Sequence, residues 1–124
     1  MPELTAGQSI NKALSLILEK NQTAFLAGED IGIYGGAFGV TEGLLEEFGS
    51  ERIKDTPISE DVIAGLAVGA SMTGSRPIVE MQFSDFIVNA MDPIVNQAAK
   101  LHFMYGGAVL SLIHISEPTR LSAI

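Results

Sequence analysis

Apolar residues recur at the spacing of an α-helix near both ends of the chain. Near the N-terminus they follow Thr5-Ala6-Gly7-Gln8, which has the form of a capping box, and the pattern predicts a helix ending near Asn21. A second helical stripe lies between residues 84 and 105 and consists of Ile94, Val95, Ala98, Leu101 and Met104. Pro93 lies inside this stripe, so the helix either begins afresh at Asp92-Pro93 or is kinked there.

Short apolar runs and further helical segments alternate between these two helices. Residues 24–27, 53–56 and 76–82 are typical of short strands. Thr41 is placed to cap a short helix that Gly49 ends, and Ser59 is placed to cap a longer one. Residues 62–72 are apolar on nearly every side, which predicts a helix buried all round, and Gly65 and Gly69 would let another backbone approach it closely. The alternation predicts the α/β class with a parallel sheet.

Composition and charge exclude several other classes of protein. The chain has 124 residues, enough for one domain, and 47% of them are hydrophobic, as in a core-forming chain. The formal net charge is −8 and the basic residues are scattered singly, so we expect no nucleic-acid partner. The absence of cysteine excludes a disulfide framework and a thiolate metal site. Because no apolar run approaches the length of a membrane span and no signal peptide is recognisable, we expect a soluble, cytoplasmic protein.

Glycines and acidic residues occur in a fixed order through the first half of the chain. The segments are Gly28-Glu29-Asp30-Ile31-Gly32, Tyr34-Gly35-Gly36, Thr41-Glu42-Gly43-Leu44 and Asp55-Thr56-Pro57-Ile58-Ser59-Glu60. The order continues through Arg76-Pro77, Asp85-Phe86 and Ala98-Ala99-Lys100. Over residues 1–107 this set resembles the N-terminal part of β subunits of the first, decarboxylating component of 2-oxo acid dehydrogenase complexes. That family includes the pyruvate, branched-chain and acetoin dehydrogenases.

The resemblance implies a transketolase-like pyrimidine-binding domain whose cofactor is thiamine diphosphate. It implies that Glu60 is the catalytic residue, hydrogen-bonded to the cofactor's aminopyrimidine ring, a role that requires a partly desolvated carboxyl. It also implies that Phe86 stacks on that ring and that Glu29 lies near it. Local sequence alone would favour a first-turn helix acid at Glu60, a core residue at Phe86 and a solvated loop carboxylate at Glu29. Phe83 is expected to be a plain core residue.

The same resemblance implies the partners and the reaction. In the family, the α subunit binds the diphosphate and its Mg²⁺, and the subunits form an α2β2 heterotetramer; this sequence contains no diphosphate motif, as expected of a β subunit. The implied reaction is oxidative decarboxylation of a 2-oxo acid, with transfer of the acyl group to lipoamide on an acyltransferase component. Pyruvate is the first choice by prevalence, with branched-chain 2-oxo acids and acetoin as close alternatives. Other interpretations are a transketolase-type enzyme, a non-catalytic α/β interaction module and a non-functional truncated product.

The last fifteen residues do not continue this pattern. Residues 110–120 read LSLIHISEPTR, which resembles the translation of transposase-based sequencing-adapter DNA. We therefore expect residues 1–109 to be the N-terminal part of the pyrimidine-binding domain and residues 110–124 to be a non-native tail. The alternative is a natural strand over residues 109–115 followed by a turn at Glu117-Pro118. A domain truncated at this point would leave a sheet edge and an apolar helix face uncovered, so we expect it not to be stable alone.

Overall fold

The computed structural model describes residues 4–109. Within them lies a sheet of three parallel strands in the order β2-β1-β3: β1 is Ala24–Gly28, β2 is Ile53–Asp55 and β3 is Arg76–Glu80. Gly28 is in register with Asp55 on one side and with Glu80 on the other, so the three strands end at the same edge. The predicted α/β class with a parallel sheet is confirmed.

The first helix, α1 (Ala6–Lys20), begins and ends as the sequence predicts. The capping box is formed: the Gln8 N–H donates to Thr5 Oγ1 at 3.3 Å, and the Thr5 N–H donates to Gln8 Oε1 at 3.0 Å. At the other end, the Asn21 N–H donates to the Ile17 carbonyl. These bonds satisfy backbone groups that have no partner within the helix.

Helices cover both faces of the sheet, which is why the central strand is an uninterrupted apolar run. On one face, α1 and the short helix α2 (Leu44–Phe48) enclose a core made of Leu18, Ala24, Leu26, Ile31, Leu44 and Ile53. Ala27 points to the other face, where α3 (Glu60–Met72) packs against β3. The buried residues of α3 are Glu60, Ile63, Ala64, Ala67 and Val68.

The prediction that α3 is buried all round is wrong for the described residues. Val62 is 61% exposed and Leu66 is 39% exposed, and both lie on the side of the helix that faces away from the sheet. No described atom lies within 4 Å of a Cβ built on Gly65 or Gly69, on the same helix. The three strands cover only one face of α3, although its composition would suit burial on both.

Two predicted helix caps differ from the observed ones. Thr41 does not cap α2; its hydroxyl donates to the Ile31 carbonyl at 2.8 Å within the core, and the cap position is taken by Gly43 with a left-handed φ of 80°. Ser59 precedes α3 as predicted, but its side chain makes no capping hydrogen bond. A hydroxyl bonds with whichever backbone group the tertiary fold brings within reach, and for Thr41 that group is ten residues away.

The predicted helix over residues 84–105 is divided into three segments. A 3₁₀ helix (Ser84–Ala90) is followed by a π-helix (Asp92–Ala98) and by α4 (Ala99–Met104). Pro93 is at the start of the middle segment, where its missing N–H breaks the regular hydrogen-bond ladder. The Asp92 carboxylate accepts from Asn96 Nδ2 at 2.8 Å and does not act as a cap.

Candidate functional site

Carboxyl groups collect where the three parallel strands end. Asp55 and Glu80 are the last residues of β2 and β3, and Glu29 follows the last residue of β1. Ligands of open α/β sheets bind outside the carboxyl ends of the strands. We therefore expect a ligand at this edge of the sheet. The edge carries Glu29, which the family resemblance places near the cofactor.

Glu29 is buried in the protein and not solvated, which rules out the loop-carboxylate interpretation. Its side chain is only 4% exposed, and its Oε1 has no hydrogen-bond partner among residues 4–109. A buried carboxylate oxygen without a donor is costly. Any partner of this oxygen must therefore come from outside the described residues.

Glu60 is the first residue of α3 and is also buried, at 8% exposure. Its neighbour Asp61 is exposed, although both stand in the first turn, where the helix dipole favours negative charge. Burial therefore separates Glu60 from an ordinary first-turn acid and meets the expectation of a desolvated carboxyl. Asn89 Nδ2, from the 3₁₀ helix, lies 3.5 Å from Glu60 Oε2. Sequence reasoning did not select Asn89, because only the fold brings it to a residue 29 positions away.

Phe86 is 40% exposed, so the local interpretation as a core residue is wrong. It makes an edge-to-face contact with Phe83 at a centroid distance of 5.7 Å, and Phe83 makes a second such contact with Phe38. Phe83 is itself 49% exposed, so the expectation that it belongs to the core is also wrong. The 3₁₀ helix holds Phe86 on the surface, where its ring remains accessible to a ligand.

The glycine-rich loop after β1 is held against the strand ends by specific bonds. The Gly32 N–H donates to Asp55 Oδ1 at 2.7 Å, and the Gly36 N–H donates to the Asp30 carbonyl at 2.8 Å. A Cβ on Gly32 would collide with Asp55 Oδ2. Asp30 has a φ of 55°, in the left-handed region that few non-glycine residues adopt. This tight turn leads the chain away from the strand end immediately after Glu29.

Glu80 lies on the opposite face of the sheet from Glu29. Its Cβ is 3.2 Å from a Cβ built on Gly28, so the two residues share a face, whereas Glu29 is one residue further along. The Glu80 carboxyl oxygens are 3.6 Å from a Cβ built on Gly36, beneath the glycine-rich loop. Burial raises the pKa of the Glu80 carboxyl above its ordinary value. The two acids therefore belong to different environments.

Two other kinds of site are absent from the part of the chain that the structure describes. Residues 4–109 contain no group of three acidic or histidine side chains arranged to hold a metal ion. None of the helices described there is long and apolar enough to cross a membrane. The carboxyl edge with Glu29, Glu60 and Phe86 is the strongest candidate site.

Comparison with known families identifies the family of this chain. The family model described as "Transketolase, pyrimidine binding domain" matches residues 3–118. The chain belongs to this family. The match runs past residue 109 into the segment that we predict to be a non-native tail; residues 110–124 lie outside the described structure, and the origin of that segment stays a prediction.

Similar proteins include two named "Pyruvate dehydrogenase E1 component subunit beta", from Staphylococcus aureus and Staphylococcus epidermidis. Each is 42% identical to this chain over 118 residues, which is 95% of the chain and 36% of the relative. The predicted resemblance to β subunits of this kind is confirmed. The chain spans about a third of the length of these curated relatives.

Proposed function

We propose that this chain is part of the β subunit of a thiamine-diphosphate-dependent 2-oxo acid dehydrogenase, with pyruvate as the substrate. The observation that carries the proposal is the buried Glu60 carboxyl at the start of α3, at the carboxyl edge of a sheet of the pyrimidine-binding family. The choice of pyruvate rests on the relatives named as pyruvate dehydrogenase subunits.

The residues present at this edge suit the aminopyrimidine half of thiamine diphosphate. Glu60 offers a desolvated carboxyl to a ring nitrogen, and Phe86 offers an accessible aromatic face. Glu29 adds a second buried carboxyl group at this edge. When bound, the cofactor supplies the carbanion stabilisation that decarboxylation needs.

Glu60 is the residue to which we assign proton sharing. A carboxyl group can share a proton with a ring nitrogen only where water does not compete for it, and its low exposure provides that condition. The Asn89 amide beside Oε2 restrains the carboxyl while leaving Oε1 available to the ring. Glu29, on the neighbouring strand end, contributes a second carboxyl near the cofactor.

A partner α subunit would complete the site. In this proposal the α subunit binds the diphosphate and its Mg²⁺, as the family resemblance implies. The uncovered apolar side of α3 is suited to packing within an α2β2 heterotetramer, because Gly65 and Gly69 permit close approach of another helix. The acyl group would pass to a lipoyl-bearing acyltransferase component, and the assembly would work in the cytoplasm.

Glu60→Gln tests the assignment in the complete subunit that contains this segment, co-expressed with its α partner. Loss of the shared proton should lower the decarboxylation rate by about 100-fold or more and weaken thiamine diphosphate binding. Asp61→Asn is the matched control, since it removes an exposed carboxyl from the same helix turn and should leave both quantities unchanged. Unchanged activity in Glu60→Gln would refute the assignment. A wild-type assembly that fails to bind the cofactor would instead favour a non-catalytic module.

A further inference from the structure

Thr56 carries a second buried oxygen without a hydrogen-bond partner among the described residues. Thr56 follows β2 directly, and its Oγ1 is buried without a hydrogen-bond partner among residues 4–109. The Thr56 N–H donates to the Gly28 carbonyl at 2.9 Å, so the pairing of β1 and β2 continues past Asp55. These two oxygens, Glu29 Oε1 and Thr56 Oγ1, are the buried side-chain polar atoms that the described residues leave unsatisfied.

The strand register places Glu29 and Thr56 at the ends of neighbouring strands. Gly28 pairs with Asp55, so Glu29 and Thr56 are each one residue beyond a matched pair and point to the same face. Neighbouring strands are about 4.8 Å apart. A molecule that makes two hydrogen bonds of about 2.8 Å can bridge oxygens separated by about that distance.

We propose that Glu29 and Thr56 form a binding site for one buried water molecule between the ends of β1 and β2. Water can donate to the Glu29 carboxylate and either donate to or accept from the Thr56 hydroxyl, which satisfies both oxygens. A site made of one carboxyl group and one hydroxyl on neighbouring strand ends suits a single water better than a larger ligand. Thr56 is then a positioning residue that holds Glu29 through this water.

The inference does not depend on the proposed function. It concerns the hydrogen-bond partners of two buried oxygens. Its tests measure the unfolding temperature and the position of an ordered water, and not catalytic activity. Either idea can therefore be refuted without the other. A refuted role for Glu60 would leave the water site unaffected, and a refuted water site would leave the role of Glu60 unaffected.

Thr56→Val is the decisive variant, because the two alternatives predict opposite signs. If the hydroxyl has no partner, an apolar group of the same shape should leave the unfolding temperature unchanged or raise it. If the hydroxyl holds the water, the substitution leaves Glu29 without its donor, and the unfolding temperature should fall. Thr56→Ser should restore most of the loss. The measurement uses the complete subunit that contains this segment, with its partner subunit where it needs one to fold.

A double-mutant cycle with Glu29→Met isolates the interaction. Once Glu29 is replaced, Thr56→Val should no longer lower the unfolding temperature, because the water has already lost its charged partner. Thr41→Val is the matched control: it removes a buried threonine hydroxyl that bonds to the Ile31 carbonyl, so it should be destabilising in both backgrounds equally. Equal effects of Thr56→Val in the two backgrounds would overturn the proposal.

Two further results would bear on the identity of the bound molecule. A crystal structure that resolves ordered water should show one within hydrogen-bond distance of both oxygens, and a protein atom in that position would refute the proposal. The Thr56→Val effect should be the same with and without thiamine diphosphate. An effect that occurs only with the cofactor would mean that a cofactor atom, and not water, occupies the site.

Discussion

At the scale of single residues, the acids at the carboxyl edge differ in what surrounds them. Glu60 and Glu29 are almost fully buried on the face that α3 covers, and one oxygen of Glu29 lacks a donor. Glu80 lies beneath the glycine-rich loop on the other face, and burial raises its pKa. Three glutamates at one end of the sheet therefore have different surroundings.

Glu80→Gln should stabilise the protein at neutral pH. Because the pKa of Glu80 is raised above 4.5 in the folded state, the folded protein binds the proton more tightly than the unfolded chain. Stability therefore falls as the pH rises from about 4.5 through the folded-state pKa. Glutamine does not ionise, so the variant does not lose stability in this way as the pH rises. Its unfolding temperature should therefore exceed that of the wild type at pH 7, and the difference should disappear below about pH 4.5.

Thermal unfolding of the complete subunit that contains this segment, at several pH values, measures this effect. Glu51→Gln, which removes an exposed carboxyl, serves as the control and should give no such pH-dependent gain. A Glu80→Gln protein less stable than the wild type at pH 7 would show that the ionised carboxylate has a stabilising partner.

At the scale of elements, Arg52 joins the end of α1 to the sheet. Its Nη2 donates to the carbonyls of Leu18 and Asn21 at 2.9 and 2.7 Å, and its Nε donates to the Ala24 carbonyl at 2.8 Å. The guanidinium also lies 5.7 Å from the centroid of the Phe48 ring in α2. One side chain thus satisfies the last carbonyls of α1 and fixes where β1 begins.

Arg52→Lys should lower the free energy of unfolding by about 2 kcal/mol, because a lysine ammonium cannot reproduce the planar fork of donors. Chemical denaturation of the complete subunit that contains this segment measures the change. Arg76→Lys is the matched control, since Arg76 is exposed and should tolerate the change. Equal stability of Arg52→Lys and the wild type would mean that water satisfies these carbonyls equally well.

At the scale of the whole molecule, many large apolar side chains of the described residues are exposed. Val62 and Leu66 are exposed on α3, and Ile33, Tyr34 and Ile58 are more than three-quarters exposed near the carboxyl edge. Contiguous exposed apolar surface is typical of interaction sites and of association-prone proteins. The sheet also has two open edges, on β2 and β3, among the described residues.

The isolated 124-residue chain should therefore self-associate and lack a cooperative thermal transition. Replacing Val62 and Leu66 together by lysine should reduce the association, seen by analytical ultracentrifugation over a range of concentrations, because both side chains are exposed. Ile63→Lys is the contrast: its side chain is 1% exposed, and the charge should unfold the domain. A wild-type chain that stays monomeric and unfolds cooperatively would contradict this prediction.

Sequence patterns predict the elements well where the determining contacts are local. The capping box at Thr5 and Gln8, the positions of the three strands and the stop at Gly49 all follow from residues within one or two turns of each other. The family resemblance identifies Glu60, Glu29 and Phe86 as candidate site residues, because the ordered set of motifs is specific to the family. Their roles in binding the cofactor stay predictions.

The tertiary structure alone decided which of these groups are buried and what they contact. It directs the Thr41 hydroxyl to Ile31, brings Asn89 to Glu60 and holds Phe83 and Phe86 on the surface. It also places the unsatisfied oxygens of Glu29 and Thr56 on neighbouring strand ends. These contacts join residues that are distant in the chain, so local spacing carries no information about them, whereas caps, periodicity and turns depend on neighbours in sequence.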